Sequence, residues 1–299
     1  MRLPPLRPIA AAGAWPSFSP DGRRIVFSAS LGEGRRRLLL ADALAAGARP
    51  EPLTPPDFDA TRPTWSWHPT TIAFVRDNQE IWTIGADGSG LAPYLAQPRD
   101  PGLDLLHPCW YRDLRSIAAV GQRHGPAGRE GVIYRLTLGS HPALQPLTRF
   151  PEVCGGRPGV SPDGATVAFS GNAGRWDQEA NQVWLVTPPA APRRLEPGEP
   201  VAAFQGRSPS WSPDGRFIAF VSTRPAPRPG KATPKALWIA AASGEEVWQL
   251  SDAAFDPGQV EWSRDQTRIL LGSFTHGIGM IEVPDRFLPD LGVAANGGD

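Results

Sequence analysis

Short apolar strands recur along the chain, and polar turns built from proline, aspartate and glycine separate them. In the clearest copy, residues 209–212 predict a first strand and residues 213–215 a tight turn. Residues 216–222, 236–240 and 246–250 then predict three further strands. Proline presets φ at one turn position, and glycine supplies a positive φ at another. The repeating unit is therefore a four-stranded antiparallel sheet.

Six copies of this unit follow one another. They begin near Trp15, Arg62, His107, Arg157, Ser208 and Gln259. The first, fourth and fifth copies carry a complete Ser-Pro-Asp-Gly turn, whereas residues 68–70, 112–114 and 264–266 replace its end in the other three. Self-similarity at a period of about 40–50 residues indicates a propeller or a solenoid.

The two ends of the chain predict how the array closes. No fourth strand follows the sixth copy, and residues 5–7 precede Trp15 by the spacing that separates an outer strand from the next copy elsewhere. An open ring would leave strand edges unpaired. We therefore expect an all-β, six-bladed β-propeller over residues 1–283, with an N-terminal strand completing the last blade. Residues 284–299 form a tail that we expect to pack loosely or to be disordered.

A proline, an aromatic residue, Ser-Pro-Asp-Gly and an Ile-Ala-Phe strand together resemble the WD-like propeller repeat of the TolB family. The resemblance covers about residues 3–283, and the same repeat occurs in the propeller domains of prolyl oligopeptidase and tricorn-type proteases. It implies a stand-alone propeller, because the chain carries neither the N-terminal α/β domain of TolB nor a hydrolase domain. The role of TolB in envelope integrity is therefore not transferred.

Composition narrows the function further. The 299 residues have a formal net charge of zero, which argues against a general nucleic-acid role. Nearly all positive charge is arginine, from which we expect a GC-rich, bacterial genome. Cys109 and Cys154 cannot form a disulfide framework, and a single bridge and two free thiols both stay open. No apolar run suits a signal peptide or a membrane span, which predicts a soluble protein without membrane insertion, cytoplasmic by default and periplasmic if a signal was removed.

The candidate binding residues lie on one face. In a four-stranded blade, the loop before strand one and the loop between strands two and three emerge together, so Arg62, His107 and Arg157 are expected around the channel mouth. The second loop is predicted to be long at residues 121–131, 171–181 and 223–235. These loops add the candidates Arg123, Arg129, Arg175, Trp176, Arg224, Arg228, Lys231 and Lys235.

Basic loops on a rigid scaffold predict a docking face for an acidic protein segment, with arginine making bidentate contacts and Trp176 as an aromatic anchor. The bland alternative is that these loops are only solvated. The sequence lacks the motifs that are typical of nucleophile elbows, P-loops, zinc proteases and dinucleotide-binding sites. We therefore expect a non-enzymatic scaffold or assembly subunit without catalytic residues, metal site or cofactor, a structural cation in the channel excepted.

Two rival functions stay open. One is a lyase or hydrolase that acts on an anionic sugar or peptide at the channel mouth, where Arg62, His107 and Arg157 lack an obvious partner base. The other is a small-ligand or ion sensor. The aspartates of the Pro-Asp-Gly turns are expected to cap their own backbone rather than to form a carboxylate site.

Overall fold

The computed structural model describes residues 2–32, 34–45, 49–95, 102–125, 128–138, 143–149, 156–171, 181–195, 206–223 and 234–289. Strands account for the architecture, and they form six separate four-stranded antiparallel sheets. The predicted six-bladed propeller is therefore confirmed. Within each sheet the strands pair in chain order from the inner strand outwards, apart from the last sheet.

The first three blades share this order. They are β2 (Ala14–Phe18), β3 (Arg24–Ser30), β4 (Arg36–Asp42) and β5 (Glu51–Pro52); β6 (Ala60–Trp65), β7 (Thr71–Arg76), β8 (Glu80–Gly85) and β9 (Ala92–Pro93); and β10 (Asp104–Trp110), β11 (Ser116–Gly125), β12 (Gly128–Thr137) and β13 (Ala143–Pro146).

The other three blades follow the same plan. They are β14 (Gly159–Val160), β15 (Val167–Gly171), β16 (Gln182–Val186) and β17 (Arg193–Arg194); β18 (Arg207–Trp211), β19 (Phe217–Ser222), β20 (Ala236–Ala241) and β21 (Val247–Gln249); and β22 (Gln259–Trp262), β23 (Arg268–Ser273) and β24 (Gly277–Glu282) with β1 (Leu6–Ala10).

The N-terminal strand closes the ring, as the sequence predicts. β1 pairs antiparallel with β24, and Leu6 lies opposite Ile281. The outer strand of the last blade therefore comes from the start of the chain. This pairing covers the edge of β24, which would otherwise be open to another chain.

The apolar core lies between neighbouring blades. Six clusters of buried side chains each join two adjacent sheets, so that the ring as a whole shares one band of core. Between blades four and five, for example, Leu185 packs with Ile218 and Phe220. The recurrent aromatic residues Trp82 and Trp184 pack at the edges of such clusters, which is the structural role that their spacing predicts.

The aspartate of each Pro-Asp-Gly turn binds its own turn. In the fifth copy, the Ser212 hydroxyl lies 2.6 Å from Asp214 Oδ1, and the Arg216 amide donates to the same oxygen. Burial opposes ionisation of Asp214, but hydrogen bonds from Ser212, Gln266 and Arg216 outweigh it and lower the pKa to about 2. The turn aspartates are thus structural, as expected.

The described part of the C-terminal tail differs from the expectation that it packs loosely or is disordered. Asp285–Phe287 forms a short 3-10 helix, and Phe287 is 1% exposed. Its ring packs edge-on against Phe217 and Trp248 of blade five. The described part of the tail is therefore firmly packed, because an aromatic side chain finds an apolar recess on the outside of the blade; residues 290–299 lie outside the described residues.

Two smaller predictions can be placed. Cys109 is a free thiol, and burial raises its pKa to about 11; Cys154 lies outside the described residues. In the described part of the chain, no helix combines the length and the apolar character needed to cross a membrane.

Candidate functional site at the channel mouth

One residue from each blade converges on a single cavity. Its lining includes all six positions at which the sequence copies begin, and its volume is about 430 Å³. We call it the mouth cavity. Those six residues are Trp15, Arg62, His107, Arg157, Ser208 and Gln259.

A β-bulge orients the mouth residue in four blades. Trp15, Arg62, His107 and Ser208 all have φ between 53° and 55°, and the pairing register of each inner strand shifts at that point. Bulky residues rarely adopt this left-handed conformation, and such strain concentrates at binding sites. The proline that follows each of them is the sequence signal, because proline inside a sheet is confined to edges and bulges.

Arg62 and His107 form the best-defined pair in the mouth cavity. Arg62 Nε donates to His107 Nε2 at 3.2 Å, and Arg62 Nη1 donates to Asn78 Oδ1 at 2.8 Å. The guanidinium also lies over the Trp15 ring, 4.9 Å from its centroid. Because arginine can only donate, His107 Nε2 must accept, which places the imidazole proton on Nδ1.

His107 is held neutral. Burial, followed by the positive charges of Arg62 and Arg157, holds the pKa of this imidazole well below its usual value. Its Nδ1 is buried and has no hydrogen-bond partner among the described residues. The mouth cavity therefore contains a polar imidazole without a charge of its own.

Arg157 lines the mouth cavity, but its guanidinium reaches into the channel instead of being exposed. Its side chain is buried inside the channel, and its Nη1 lies 2.5 Å from Glu261 Oε2. Its Nη2 donates to the Pro63 carbonyl at 2.6 Å. The guanidinium is thus occupied by groups of the protein itself, and we correct its assignment from an exposed docking residue to the floor of the mouth cavity. Its charge also disfavours a cation close by.

An aromatic rim was missed by the sequence analysis. Phe274 is 63% exposed, and its ring meets Trp15 edge-on with centroids 5.3 Å apart. Phe274 lies in the short loop between β23 and β24, where the sequence analysis names no candidate residue. Its only sequence signal is an aromatic residue within a polar turn.

The far side of the cavity is polar. The Lys235 ammonium lies 2.7 Å from Asp256 Oδ1, and this pair lines the cavity with Arg207. Asn181 is 4% exposed, and its Oδ1 has no hydrogen-bond partner in the described part of the chain. Among the described lining residues, four side chains are cationic and Asp256 is the one carboxylate.

The predicted loop at residues 121–131 is also corrected. β11 extends into it as far as Gly125 and β12 begins at Gly128, and the two strands pair with Arg123 opposite Glu130 and His124 opposite Arg129. These residues pair as strands, although their glycine-rich composition predicts a loop. The candidates Arg175, Trp176, Arg224, Arg228 and Lys231 lie outside the described residues, so their role stays a prediction.

Within the described ranges, no group of three or more histidine, cysteine, aspartate or glutamate side chains is placed to hold a metal ion. The mouth cavity thus offers cations, amides and aromatic faces. These groups suit the binding of an anion.

Neither a protein-family model nor a curated protein matches the sequence. Among solved structures, the chain is similar to TolB from Acinetobacter baumannii, with 17% identity, a TM-score of 0.61, and 93% of this chain and 65% of that chain covered. The chain has a TolB-type propeller fold.

Enzymes share this fold. An oligogalacturonate lyase from Vibrio parahaemolyticus is 13% identical, with a TM-score of 0.60 and 93% of this chain and 92% of that chain covered. A gluconolactonase from Xanthomonas campestris is 15% identical, with a TM-score of 0.68 and coverage of 95% and 91%. At these identities the similarity concerns architecture, and function must be argued from the site.

Proposed function

We propose that this propeller is a non-enzymatic binding module that docks an acidic segment of a partner protein at the mouth cavity. The observation that carries the proposal is the charge of the described lining, in which Arg62 and Arg207 accompany two ion pairs, Lys235 with Asp256 and Arg157 with Glu261. A concave cationic surface attracts anionic groups and speeds their association.

The shape of the cavity favours a segment over a flat surface. About 430 Å³ admits a few side chains or a small ligand, but not a folded domain. Trp15 and the exposed Phe274 provide apolar area at the rim. An acidic segment that also carries an apolar residue would therefore use both kinds of surface, and aromatic anchors of this kind often dominate binding energy.

The state of the polar groups supports binding without catalysis. His107 Nε2 already accepts a hydrogen bond from Arg62, and Asp256 is paired with Lys235. Neither group is poised to take a proton from a bound molecule. The role as scaffold or assembly subunit follows from this proposal.

A peptide titration tests the proposal. A labelled decapeptide rich in aspartate and glutamate with one central leucine is compared, by fluorescence anisotropy, with the same peptide carrying asparagine and glutamine. We expect saturable binding of the acidic peptide alone, weakening as salt is raised. The variants Arg62→Gln and Arg207→Gln should each weaken it by about tenfold.

Arg23→Gln is the matched control, because it removes the same charge from an exposed turn at the other end of the inner strand. Equal effects of Arg23→Gln and Arg62→Gln would show that only the overall charge matters and would overturn the proposal. Equal binding of the acidic and amide peptides would overturn it as well.

The alternative is an enzyme that acts on an anionic sugar at the same cavity. The similarity to an oligogalacturonate lyase favours it, as does the unpartnered Nδ1 of His107 among the described residues. Incubation with oligogalacturonate, followed by ultraviolet absorbance of an unsaturated product, distinguishes the two. Product formed by the wild type but not by His107→Gln would favour the enzyme.

A further inference from the structure

A second, smaller cavity lies at the opposite end of the channel. It has a volume of about 100 Å³, and its lining comes from the far ends of the inner strands and from the turns that follow them. Arg157 lines both cavities, so its ion pair with Glu261 lies between them. We call it the turn-end cavity, and the sequence analysis and the proposed function do not involve it.

Two arginines enclose one tryptophan at this cavity. The guanidinium carbons of Arg112 and Arg264 lie 4.4 Å and 4.2 Å from the Trp67 ring centroid. Arg112 donates to the Pro213 carbonyl, and Arg264 donates to the Trp65 and Ser66 carbonyls. These contacts fix both cations in place.

Neither cation is neutralised within the described part of the chain. Arg112 and Arg264 form no ion pair with a described carboxylate. The nearby Glu261 is already bound by Arg157, by the Ser17 hydroxyl and by the Phe18 amide. Burial lowers the pKa of Arg264 to about 10, which still leaves it charged at neutral pH. The turn-end cavity therefore carries an excess of positive charge.

Two indole donors at the same cavity lack an acceptor. The Nε1 atoms of Trp211 and Trp262 are buried without a hydrogen-bond partner among the described residues, and Trp262 is 4% exposed. By contrast, the neighbouring Trp65 and Trp110 donate to the carbonyls of Pro69 and Thr64. Buried donors in proteins are nearly always satisfied by a protein group, a water molecule or an ion, so these two indole groups are available to donate to a bound molecule.

We propose that the turn-end cavity binds the carboxylate of a small organic acid. A carboxylate supplies two acceptor oxygens for the indole donors, and its charge complements Arg112 and Arg264. A cavity of about 100 Å³ has room for a carboxylate group. The Cys109 thiol lines the cavity and stays protonated, so it adds no competing charge.

Indole N–H resonances test this directly in the unmodified protein. Sodium acetate is titrated against sodium chloride at equal ionic strength, with the peaks of Trp211 and Trp262 assigned from through-bond and through-space spectra of the unmodified protein. We expect both peaks to shift and saturate, while the peak of Trp248, on the outer strand β21, stays in place. Acetamide, a neutral molecule of the same shape, should leave all three unchanged.

Variants then locate the binding site. Arg264→Lys should weaken acetate binding by about tenfold, because a guanidinium makes paired contacts that an ammonium cannot. Trp262→Phe keeps an aromatic ring, although a smaller one, and removes the donor, so it should weaken binding too, whereas Trp248→Phe should not. A tripeptide with a free or an amidated C-terminus shows whether a chain end can supply the carboxylate instead of a free acid.

Stationary Trp211 and Trp262 peaks throughout the acetate titration would overturn the proposal, since that titration requires no variant to fold. Equal shifts with acetate and acetamide would also overturn it, because charge would then play no part. The mouth-cavity variant Arg62→Gln should leave acetate binding unchanged, which keeps the outcome separate from that of the proposed function.

Discussion

Arg157 and Glu261 meet across the channel, with Nη1 and Oε2 2.5 Å apart. Arg157 comes from blade four and Glu261 from blade six, and the same guanidinium contacts the Pro16 and Pro63 carbonyls of blades one and two. One side chain therefore links four of the six blades near the axis. It also closes the mouth cavity from below and separates it from the turn-end cavity.

Breaking this pair should be costly. We expect Arg157→Met or Glu261→Gln to lower the free energy of unfolding by about 3 kcal/mol, because each leaves a mostly buried polar group without its partner. The double variant should lose less than the sum of the two. Urea denaturation measures all three, and Arg135→Met, which removes the more exposed pair with Asp113, should cost only about 1 kcal/mol. A loss at Arg157 no larger than at Arg135 would contradict the assignment.

Closure of the ring depends on Gly277 at the start of β24. Its φ is +75°, and a Cβ there would lie 2.1 Å from the Ala10 carbonyl oxygen on β1. Gly277→Ala should therefore push β1 away and destabilise the fold. Gly32 is the matched control, because it also has a positive φ but no atom within 4 Å of a Cβ.

We expect Gly277→Ala to cost about 2 kcal/mol more than Gly32→Ala, the difference being the clash and not the backbone strain. Thermal unfolding measures the difference. Proteolysis in the N-terminal segment should also become faster in Gly277→Ala, since β1 is released. Equal stability of the two variants would mean that β1 contributes little to closure.

The repeat predicts the fold because the same local sequence signals occur in each copy. Turn residues and apolar strands recur at matching positions, and proline follows five of the six mouth residues, so six equivalent positions can be assigned from the sequence. The repeat does not reveal in which direction the side chain at such a position points. Arg62 adopts a positive φ at its bulge and stays in the mouth cavity, whereas Arg157 has no positive φ and lies inside the channel.

The hairpin at residues 121–131 shows a second limit. Its glycines and polar residues predict a loop, yet Gln122 pairs with Gly131 and Arg123 with Glu130. Gly121 is glycine because the Tyr134 ring covers it, and a Cβ there would lie 2.4 Å from Cε2 of that ring. An aromatic ring that covers a strand glycine is a tertiary contact, and composition alone does not reveal it.

Two degraded turns should respond to glycine in opposite ways. Leu114 and Gln266 occupy the glycine position of the repeat and adopt φ of 60° and 62°. Leu114 is exposed, so Leu114→Gly should relieve backbone strain and stabilise the fold by about 0.5–1 kcal/mol.

Gln266, in contrast, is 1% exposed and donates through Nε2 to Asp214 Oδ2 and to the Phe287 carbonyl. Gln266→Gly should destabilise by about 1–3 kcal/mol, because these buried contacts outweigh the strain. Urea midpoints of the two variants measure the contrast. If both variants changed the stability in the same direction, the side-chain contacts of Gln266 would not be the reason that glutamine occupies this turn.

His107 should give the stability of the protein a pH dependence. Its folded pKa is depressed by burial and by Arg62 and Arg157, so the folded protein leaves it neutral where the unfolded chain protonates it, below about pH 6.5. The unfolded state then binds more protons, and the free energy of unfolding should decrease as the pH falls from about 6.5 to about 5, by up to about 1.4 kcal/mol per pH unit. Above about pH 6.5, the stabilising contribution of the neutral His107 to the free energy of unfolding is fully present. His107→Gln should show a flatter decrease than the wild type, measured by urea denaturation at each pH. Parallel curves for His107→Gln and the wild type would mean that this imidazole is protonated as readily in the folded state as in the unfolded chain, and that the mouth cavity does not hold it neutral.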